Sequence, residues 1–308
     1  MKKISIVTPC HNEEGNVEEL YQRIQKVMQD VDYEYEHIFI DNASTDRTVE
    51  LLRGLAARDR RVKVILNTRN FGQIRSPYYG LLQATGDAVV ILASDLQDPP
   101  ERIPEFIRKW EEGSKIVVGV KTRSQEPRLL YFLRSFYYRT LRKLSEVRLI
   151  EHFTGFGLYD QKVIKILREF NDPYPYFRGL IADIGFQMAR IEFTQPRRKR
   201  GISKNDFFTL YDLAMLGLTS YTKAPLRIAT FLGFFAAVIS FFVGLVYLVY
   251  KLIYWENFSL GLAPVVIGLF FIGSIQLFFL GIVGEYIGTI YTLTLRRPLV
   301  IEKERINF

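Results

Sequence analysis

Asp95, Gln97 and Asp98 fall within the run ASDLQDPPE at 93–101, directly after the apolar stretch AVVIL at 88–92. A buried strand that ends in carboxylate, amide, carboxylate and two prolines carries more polarity than a turn requires. Asp95 and Gln97 stand two residues apart and can aim oxygens at one ion. A hard cation such as Mg2+ takes oxygen ligands and shares itself with substrate phosphates. Pro99 and Pro100 end the strand and stiffen the chain that leaves it. The segment reads as a platform for a metal and a diphosphate, with Asp95 and Gln97 as the metal pair.

Two further apolar runs end in similar groups, at Pro9–Glu13 and at Asp41–Asp46. Asp46 also suits a plain helix cap for the segment that follows. The basic run RRKRGISK at 197–204 has two readings. It could be a polybasic patch on lipid headgroups. Yet Gly201, Ser203 and Lys204 suit a mobile loop that closes over phosphates. A second basic set is Lys121, Arg123, Arg128, Arg134 and Arg139. From Arg128 onward it shares a helical period with Leu129, Leu130, Phe132, Leu133, Phe136 and Tyr137. Such a helix rests on a bilayer and offers arginines to a lipid phosphate.

The elements that must position these residues follow from pattern. Apolar, β-branched runs at 4–8, 36–40, 62–66, 88–92 and 116–120 alternate with helical periods, such as Val17, Leu20, Ile24, Val27 and Met28, or Val49, Leu51, Leu52 and Leu55. This alternation predicts an α/β fold, a mainly parallel sheet with helices on both faces. Ligands of such sheets bind beyond the carboxyl ends of the strands.

After about residue 228 the chain turns almost wholly apolar. Ile228–Tyr250 carries no charge over 23 residues, long enough at about 1.5 Å per residue to cross a hydrocarbon core of about 30 Å. A second span lies within 262–292, with Glu285 its one charge. Tyr254, Trp255, Glu256 and Asn257 suit the interfacial turn between them. Neither span opens the sequence, so neither reads as a signal peptide. The segment 206–222 is apolar but too polar to span and reads as an interfacial helix. Lys223 and Arg227 precede the first span, and Arg296, Arg297, Lys303 and Arg305 follow the second. The positive-inside rule then places both termini and the large domain in the cytoplasm. The single cysteine, Cys10, excludes an internal disulfide and fits a reducing compartment. A net charge of +8 in a chain with two spans favours anionic lipid and phosphate ligands over nucleic acid.

The N-terminal part resembles family 2 glycosyltransferases of the GT-A type. The whole chain resembles the polyprenyl-phosphate glycosyltransferases, the dolichol-phosphate mannose synthases and bactoprenol glucosyltransferases. The resemblance is carried by VTPCHNEEGNV at 7–17, IDNASTDRT at 40–48, NFGQ at 70–73, SDLQDPPE at 94–101, FTGFGLYD at 153–160, FRGLIADIGF at 177–186 and RKRGISK at 198–204, followed by two spans. It implies a Rossmann-like, mostly parallel GT-A sheet at 1–205, an interfacial helix at 206–226, transmembrane helices at about 228–251 and 262–292, and a cytoplasmic tail at 296–308. It implies Mg2+ or Mn2+ on Asp95 and Gln97. The donor nucleotide would lie on Pro9, His11, Glu13, Asp41 and Asp46, under the grip of Arg200, Ser203 and Lys204. The acceptor phosphate would meet Arg123, Arg128, Arg134 and Arg139. Asp98 and Arg200 join Asp95 as catalytic candidates. Asp98, or Asp160, would orient the acceptor, although a structural role suits each better.

The chain departs from the family in three places. Ala93 stands where an Asp is frequent, His11 where a Tyr is usual, and Thr154-Gly155-Phe156-Gly157 where many relatives have Gly-Asp-Phe-Arg. The implied reaction is inverting transfer of a hexose, glucose favoured, from a nucleotide diphosphate sugar such as UDP-glucose to undecaprenyl or dolichyl phosphate. It would take place at the cytoplasmic face of a bacterial inner membrane, in a homo-oligomer. The phosphate nucleophile has a second pKa of about 6 and needs no strong base, so His11, His37 and His152 need not be catalytic. A processive glycan synthase is disfavoured because no QxxRW motif is present. A transporter or flippase subunit with a nucleotide-binding domain has only Glu285 in its favour.

The two readings of the basic run differ in what a conservative change does. A headgroup patch acts by summed charge, at about 1 kcal/mol per Lys or Arg, whereas an Arg fork on a diphosphate is not replaced by Lys. Arg200→Lys and Ser203→Ala are expected to raise the donor KM or lower turnover, and Arg197→Lys to do little. Donor kinetics of the three variants in charged and neutral lipid distinguish the readings.

Overall fold

The computed structural model describes residues 2–123, 150, 153–196, 207–254 and 262–308. The apolar runs fold as strands, and the periodic segments between them as helices. β1 (Lys3–Cys10), α1 (Val17–Gln29), β2 (Glu34–Asp41), α2 (Thr48–Arg58), β3 (Val62–Asn67), α3 (Gly72–Gln83) and β4 (Ala88–Ile91) alternate along the first third. A short turn at Pro100–Arg102 leads into α4 (Ile103–Glu111), β5 (Ile116–Arg123), β6 (Phe153–Asp160), α5 (Gln161–Phe170), α6 (Phe177–Asp183) and β7 (Met188–Thr194). The remainder is α7 (Phe207–Tyr221), α8 (Ala224–Ile253), α9 (Leu262–Thr294) and β8 (Glu302–Ile306).

The strands form one mixed sheet in the order β7-β5-β6-β4-β1-β2-β3-β8. β4, β1, β2 and β3 are mutually parallel. β6 runs against β4 and β5, and β8 runs against β3. Strand side chains alternate between two buried faces. Ile4 and Ile6 pack with Leu20 and Ile24 of α1 and Phe106 of α4. Val7 turns the other way, to Tyr78 and Leu81 of α3 and Val163 and Leu167 of α5. Leu52 and Leu55 of α2 close over Phe39, Val62 and Val64.

The five predicted strands are β1 to β5. β6, β7 and β8 join them without having been expected from the apolar runs. The segment expected to be a tail instead supplies an edge strand. Its approach is bonded by Thr68, whose backbone N–H donates to the Ile301 carbonyl at 3.0 Å, and Asn307 beyond it donates to the carbonyls of Ala56 and Val62 at 2.8 and 2.9 Å. The amphipathic helix expected from Arg128 lies outside the described residues.

α8 and α9 are the two predicted spans. Each is long and apolar enough to cross a membrane, with mean hydropathy of 2.5 for Ala224–Ile253 and 1.7 for Gly268–Thr294. Phe231 and Phe241 remain 64% and 67% exposed; rows of such side chains along a helix require an apolar medium. α7 occupies the expected interfacial segment and is stitched to α9. Tyr211 donates to Glu285 Oε1 at 2.8 Å, Thr219 and Thr289 hydroxyls meet at 2.9 Å, and Tyr286 donates to the Thr222 carbonyl at 2.6 Å. α6 meets α7 at a glycine: a Cβ on Gly179 would fall 2.3 Å from the Tyr221 ring, so only glycine admits this approach.

Glu36 secures the amino-terminal edge of the sheet, away from the strand exits. It is 3% exposed. It pairs with Lys63 at 2.8 Å and Lys3 at 3.3 Å, and accepts from Ser5 Oγ at 2.5 Å and the Thr85 N–H at 3.0 Å. Burial alone would raise its pKa, but the bonds from Lys63, Ser5 and Thr85 outweigh this and hold it at about 2. A carboxyl depressed in the folded state stabilises it above its unfolded pKa near 4.5, and the contribution is lost as pH falls towards about 2. Glu36→Gln is expected to cost roughly 2–3 kcal/mol at pH 7. It should also flatten the acid limb of stability between pH 4.5 and 2, as read by denaturant unfolding at a series of pH values.

Candidate active site

Parallel pairing delivers four strand exits to one edge. Cys10 lies opposite Asp41, and Asp41 opposite Leu66. Ile91, the last residue of β4, lies beside Val7 of β1. The loops that leave β1, β2, β3 and β4 therefore adjoin, and they carry the acidic and amide residues expected from the sequence.

The β1 and β2 loops are laced together. Asn12 takes the left-handed conformation, φ 57°. Its backbone N–H donates to Ser44 Oγ at 2.8 Å, and its side-chain oxygen accepts from the Thr45 N–H at 2.7 Å. The Glu13 N–H donates to Thr48 Oγ1 at 2.8 Å. Asp41 is 1% exposed, and Ser44 donates to it through both hydroxyl and backbone N–H. Burial raises the Asp41 pKa against those bonds. Asp46 accepts from the backbone of Thr48 at 3.0 Å and of Glu14 at 3.2 Å. Burial would raise its pKa, but bonds from Thr48 and Glu14 hold it below the usual range. Its carboxylate thus accepts from the first residue of α2 and ties two loops together. Burial, with Asp41 and Glu13 nearby, raises the Cys10 thiol well above its ordinary value.

The hub of the site is a residue to which sequence reasoning gave no role. Asn42, 7% exposed, donates to Asn70 Oδ1 at 2.8 Å and to the Gly72 carbonyl at 3.2 Å. Its oxygen accepts from the Phe71 N–H at 2.8 Å and from Asn67 Nδ2 at 3.2 Å. Asn70 in turn lies 3.2 Å from His11 Nε2. The motifs DNAS and NFGQ, quoted earlier only as marks of resemblance, are therefore two halves of one clasp that fixes the floor beside Pro9 and His11. His37 is a sheet residue, 3.0 Å from Thr8 Oγ1, and burial pushes its pKa down to about 3. His152 lies outside the described residues.

The β4 exit is a tight turn in which Leu96 takes φ 60°. Asp95 Oδ1 accepts from the Gln97 N–H at 3.1 Å. Gln97 Nε2 reaches the Pro196 carbonyl at 3.4 Å, which leaves the carboxamide oxygen as the group able to serve a cation. Ser94 Oγ donates to the Pro9 carbonyl at 2.9 Å and joins this turn to β1. Among the described residues no group of three or more His, Cys, Asp and Glu converges as a metal cage. One carboxylate and one amide oxygen nevertheless fit Mg2+ or Mn2+, which completes its shell with water and diphosphate oxygens.

Asp98 is 7% exposed and accepts from the Ala93 N–H at 3.0 Å. Burial, reinforced by Asp95, raises its pKa to about 6. It braces the exit turn from within. Asp160 lies elsewhere: it pairs with Ala88 at the amino end of β4. There it caps α5 through the Lys162 N–H at 2.9 Å and accepts from Trp110 Nε1 at 2.8 Å and Lys115 Nζ at 2.9 Å. Its structural role is now explicit.

The departure at 154–157 is built into β6. Gly155 has φ +107°, and a Cβ on Gly157 would fall 2.4 Å from the Val117 carbonyl oxygen. Tyr159 donates to the Gly155 carbonyl at 2.7 Å and holds this shape. At 157 the backbone leaves no room for a side chain; at 155 the left-handed φ, rather than lack of space, disfavours one. Arg123 is the last residue of β5; its side chain, together with Arg128, Arg134, Arg139, Arg200, Ser203 and Lys204, lies outside the described residues. Pro196, which Gln97 touches, directly precedes the 197–204 run.

The family model for glycosyl transferase family 2 matches residues 5–167, and that for the GtrB C-terminal hairpin matches 224–290. A bactoprenol glucosyl transferase of Shigella phage SfX is 34% identical over 304 residues, 98% of this chain and 99% of its own. The uncharacterized glycosyltransferase YkcC of Bacillus subtilis is 35% identical over 298 residues, 96% of this chain and 92% of its own. Among solved structures, glucosyl-3-phosphoglycerate synthase from Mycobacterium tuberculosis is similar over 71% of this chain and 78% of its own, at 20% identity and a TM-score of 0.47. The first family model spans the parallel strands and their exits, and similarity to the phage enzyme runs nearly end to end: the chain belongs to glycosyl transferase family 2 and is a glycosyltransferase.

Proposed function

We propose that this glycosyltransferase moves glucose from UDP-glucose to a polyprenyl phosphate at the cytoplasmic face of a membrane, with inversion at the anomeric carbon. The observation that carries the reading is the shared edge of β2, β1 and β4. It sets Asp41, Pro9, His11 and Glu13, suited to a nucleoside, beside Asp95 and Gln97, suited to a diphosphate. The relatives named bactoprenol glucosyl transferase and the match to the GtrB hairpin support the acceptor class.

In this reaction a phosphate oxygen of the acceptor forms the bond to C1 while the bond from C1 to the UDP oxygen breaks. The nucleophile is already ionised at neutral pH, so no side chain need remove a proton. A divalent ion held by Asp95 and Gln97 would neutralise charge on the departing diphosphate. Arg200, Ser203 and Lys204 grip that diphosphate as well. The contact of Gln97 with Pro196, the last described residue before the 197–204 run, supports this. Arg123, Arg128, Arg134 and Arg139 receive the acceptor phosphate. Asp46 acts on the donor only through the loops it joins, and Asp98 only through the turn it braces.

Topology has structural support as well. β8 pairs with β3 of the sheet that precedes the hairpin, so the chain returns to the side it left. The Lys/Arg bias makes that side the cytoplasm.

Asp95→Asn is expected to leave the fold intact and to lower transfer by about 100-fold or more, measured with radiolabelled UDP-glucose and polyprenyl phosphate across a Mg2+ and Mn2+ titration. A wild-type rate with unchanged metal dependence would remove this turn from the active site. Asn42→Ala strands several buried partners and is expected to cost about 1–3 kcal/mol. In the same assay it should raise the donor KM by about tenfold, with the acceptor KM unchanged.

A further inference from the structure

A cavity of about 710 Å³ lies between the catalytic domain, α7 and α9. Its lining includes Arg75 from α3, Asp212 from α7 and Glu285 from α9. No ion pair joins any of the three to another described residue. The Arg75 guanidinium lies 5.6 Å from the centre of the Tyr174 ring, and its buried Nε has no hydrogen-bond partner. Glu285 accepts one bond, from Tyr211. A half-buried arginine whose Nε lacks a partner, at a cavity wall, calls for an anion. Two carboxylates across the same cavity call for a cation.

The rest of the cavity is a trough. Gly281, Gly284 and Gly288 recur at three- and four-residue spacing and so share one face of α9. A Cβ added at any of them meets nothing within 4 Å. These glycines are not required by a close neighbour; they leave space that no protein atom fills. The trough runs along an apolar helix, at the end by which the chain leaves the bilayer. Its occupant needs an apolar tail and a head that carries both signs of charge.

The acceptor is a poor match. A phosphate monoester brings a charge of about −1.5 to −2 and no cation to a wall that already holds two carboxylates. A phosphodiester with a primary ammonium matches each group. We propose that this cavity binds a bilayer phospholipid of that head chemistry. Its phosphate would lie on Arg75, its ammonium between Asp212 and Glu285, and an acyl chain along Gly281, Gly284 and Gly288. The volume suits a head and the first part of a chain, since small-molecule sites span about 300–1,000 Å³. The cavity is lined by none of the residues assigned above to donor or metal, although Arg75 follows Gly72 of the clasp by three residues; the proposal does not depend on which sugar the strand exits take. Bound there, the lipid would touch domain, interfacial helix and span at once.

The test is native mass spectrometry of the full chain in mild detergent, titrated with phosphatidylethanolamine, phosphatidylcholine and phosphatidylglycerol of identical acyl chains, and with polyprenyl phosphate. Phosphatidylethanolamine should form a one-to-one adduct at about fivefold lower concentration than the other two phospholipids. Trimethylation removes the N–H donors of the amine, and glycerol carries no cation. Arg75→Gln and Gly284→Leu should each abolish the specific adduct and with it the preference, the first by removing the partner of the phosphate, the second by filling the trough without altering charge. Gly233→Leu, on α8, should retain it. Circular dichroism melts identify any variant that fails to fold, and either of the two is decisive without the other. Equal binding of the three phospholipids overturns the proposal, as does a preference that survives in the folded variants. If polyprenyl phosphate displaces the adduct and Arg75→Gln raises the acceptor KM, the cavity belongs to the acceptor and the proposal is again overturned.

Discussion

β1 and β2 pair in parallel from Lys3 opposite Glu34 to Cys10 opposite Asp41, and the site follows from that register. Parallel neighbours require crossover helices, which cover both faces of the sheet and leave only its edges for chemistry. Because β4 and β3 flank this pair in the same direction, all four carboxyl ends open on one edge. A slip of one residue between β1 and β2 would turn every β2 side chain to the opposite face. The bonds from Asn12 to Ser44 and Thr45, and from Glu13 to Thr48, could then not form. The loops are therefore as fixed as the strands they leave.

Much of this was legible in the sequence because the central strands are buried on both faces. VKVIL and AVVIL need no partner to be read as strands, and a strand end followed by DLQDPP stands out against them. What escaped was non-local. FTGFGLYD, broken by two glycines, becomes β6 only where Gly157 can pass the Val117 carbonyl. EKERI, almost wholly charged, becomes β8 because an edge strand tolerates polar side chains on its open side. Asn42, Asn67 and Asn70 look like ordinary loop residues one at a time. Their role exists only in the clasp they form together. Asp46 and Asp160 show the converse: conspicuous acids whose oxygens are taken up by backbone and side-chain donors within the fold.

α9 is joined to α7 by polar contacts, whereas α7 meets the catalytic domain in an apolar cluster that includes Ile74, Tyr176, Ala182, Leu213 and Leu216. Tyr211 to Glu285, Thr219 to Thr289 and Tyr286 to the Thr222 carbonyl act where lipid offers no competing hydrogen-bond partner, and this is the setting in which a few such bonds between helices count. On the other side of α7 the contact is steric, with Gly179 against Tyr221. α7 is thus held from both flanks and fixes the height of the strand exits above the spans.

β8 has a consequence for biosynthesis. Thr68 and the Ile301 carbonyl that it bonds are separated by 233 positions along the chain, and the whole hairpin is made between them. During translation β3 therefore remains an open edge until both apolar helices have been made and the chain has come back. A hairpin that failed to fold back would keep residues 302–306 away and leave that edge exposed, the kind of surface on which quality-control proteases and aggregation act. Closure of the sheet thus reports on the hairpin: the catalytic domain is finished only when the two helices are.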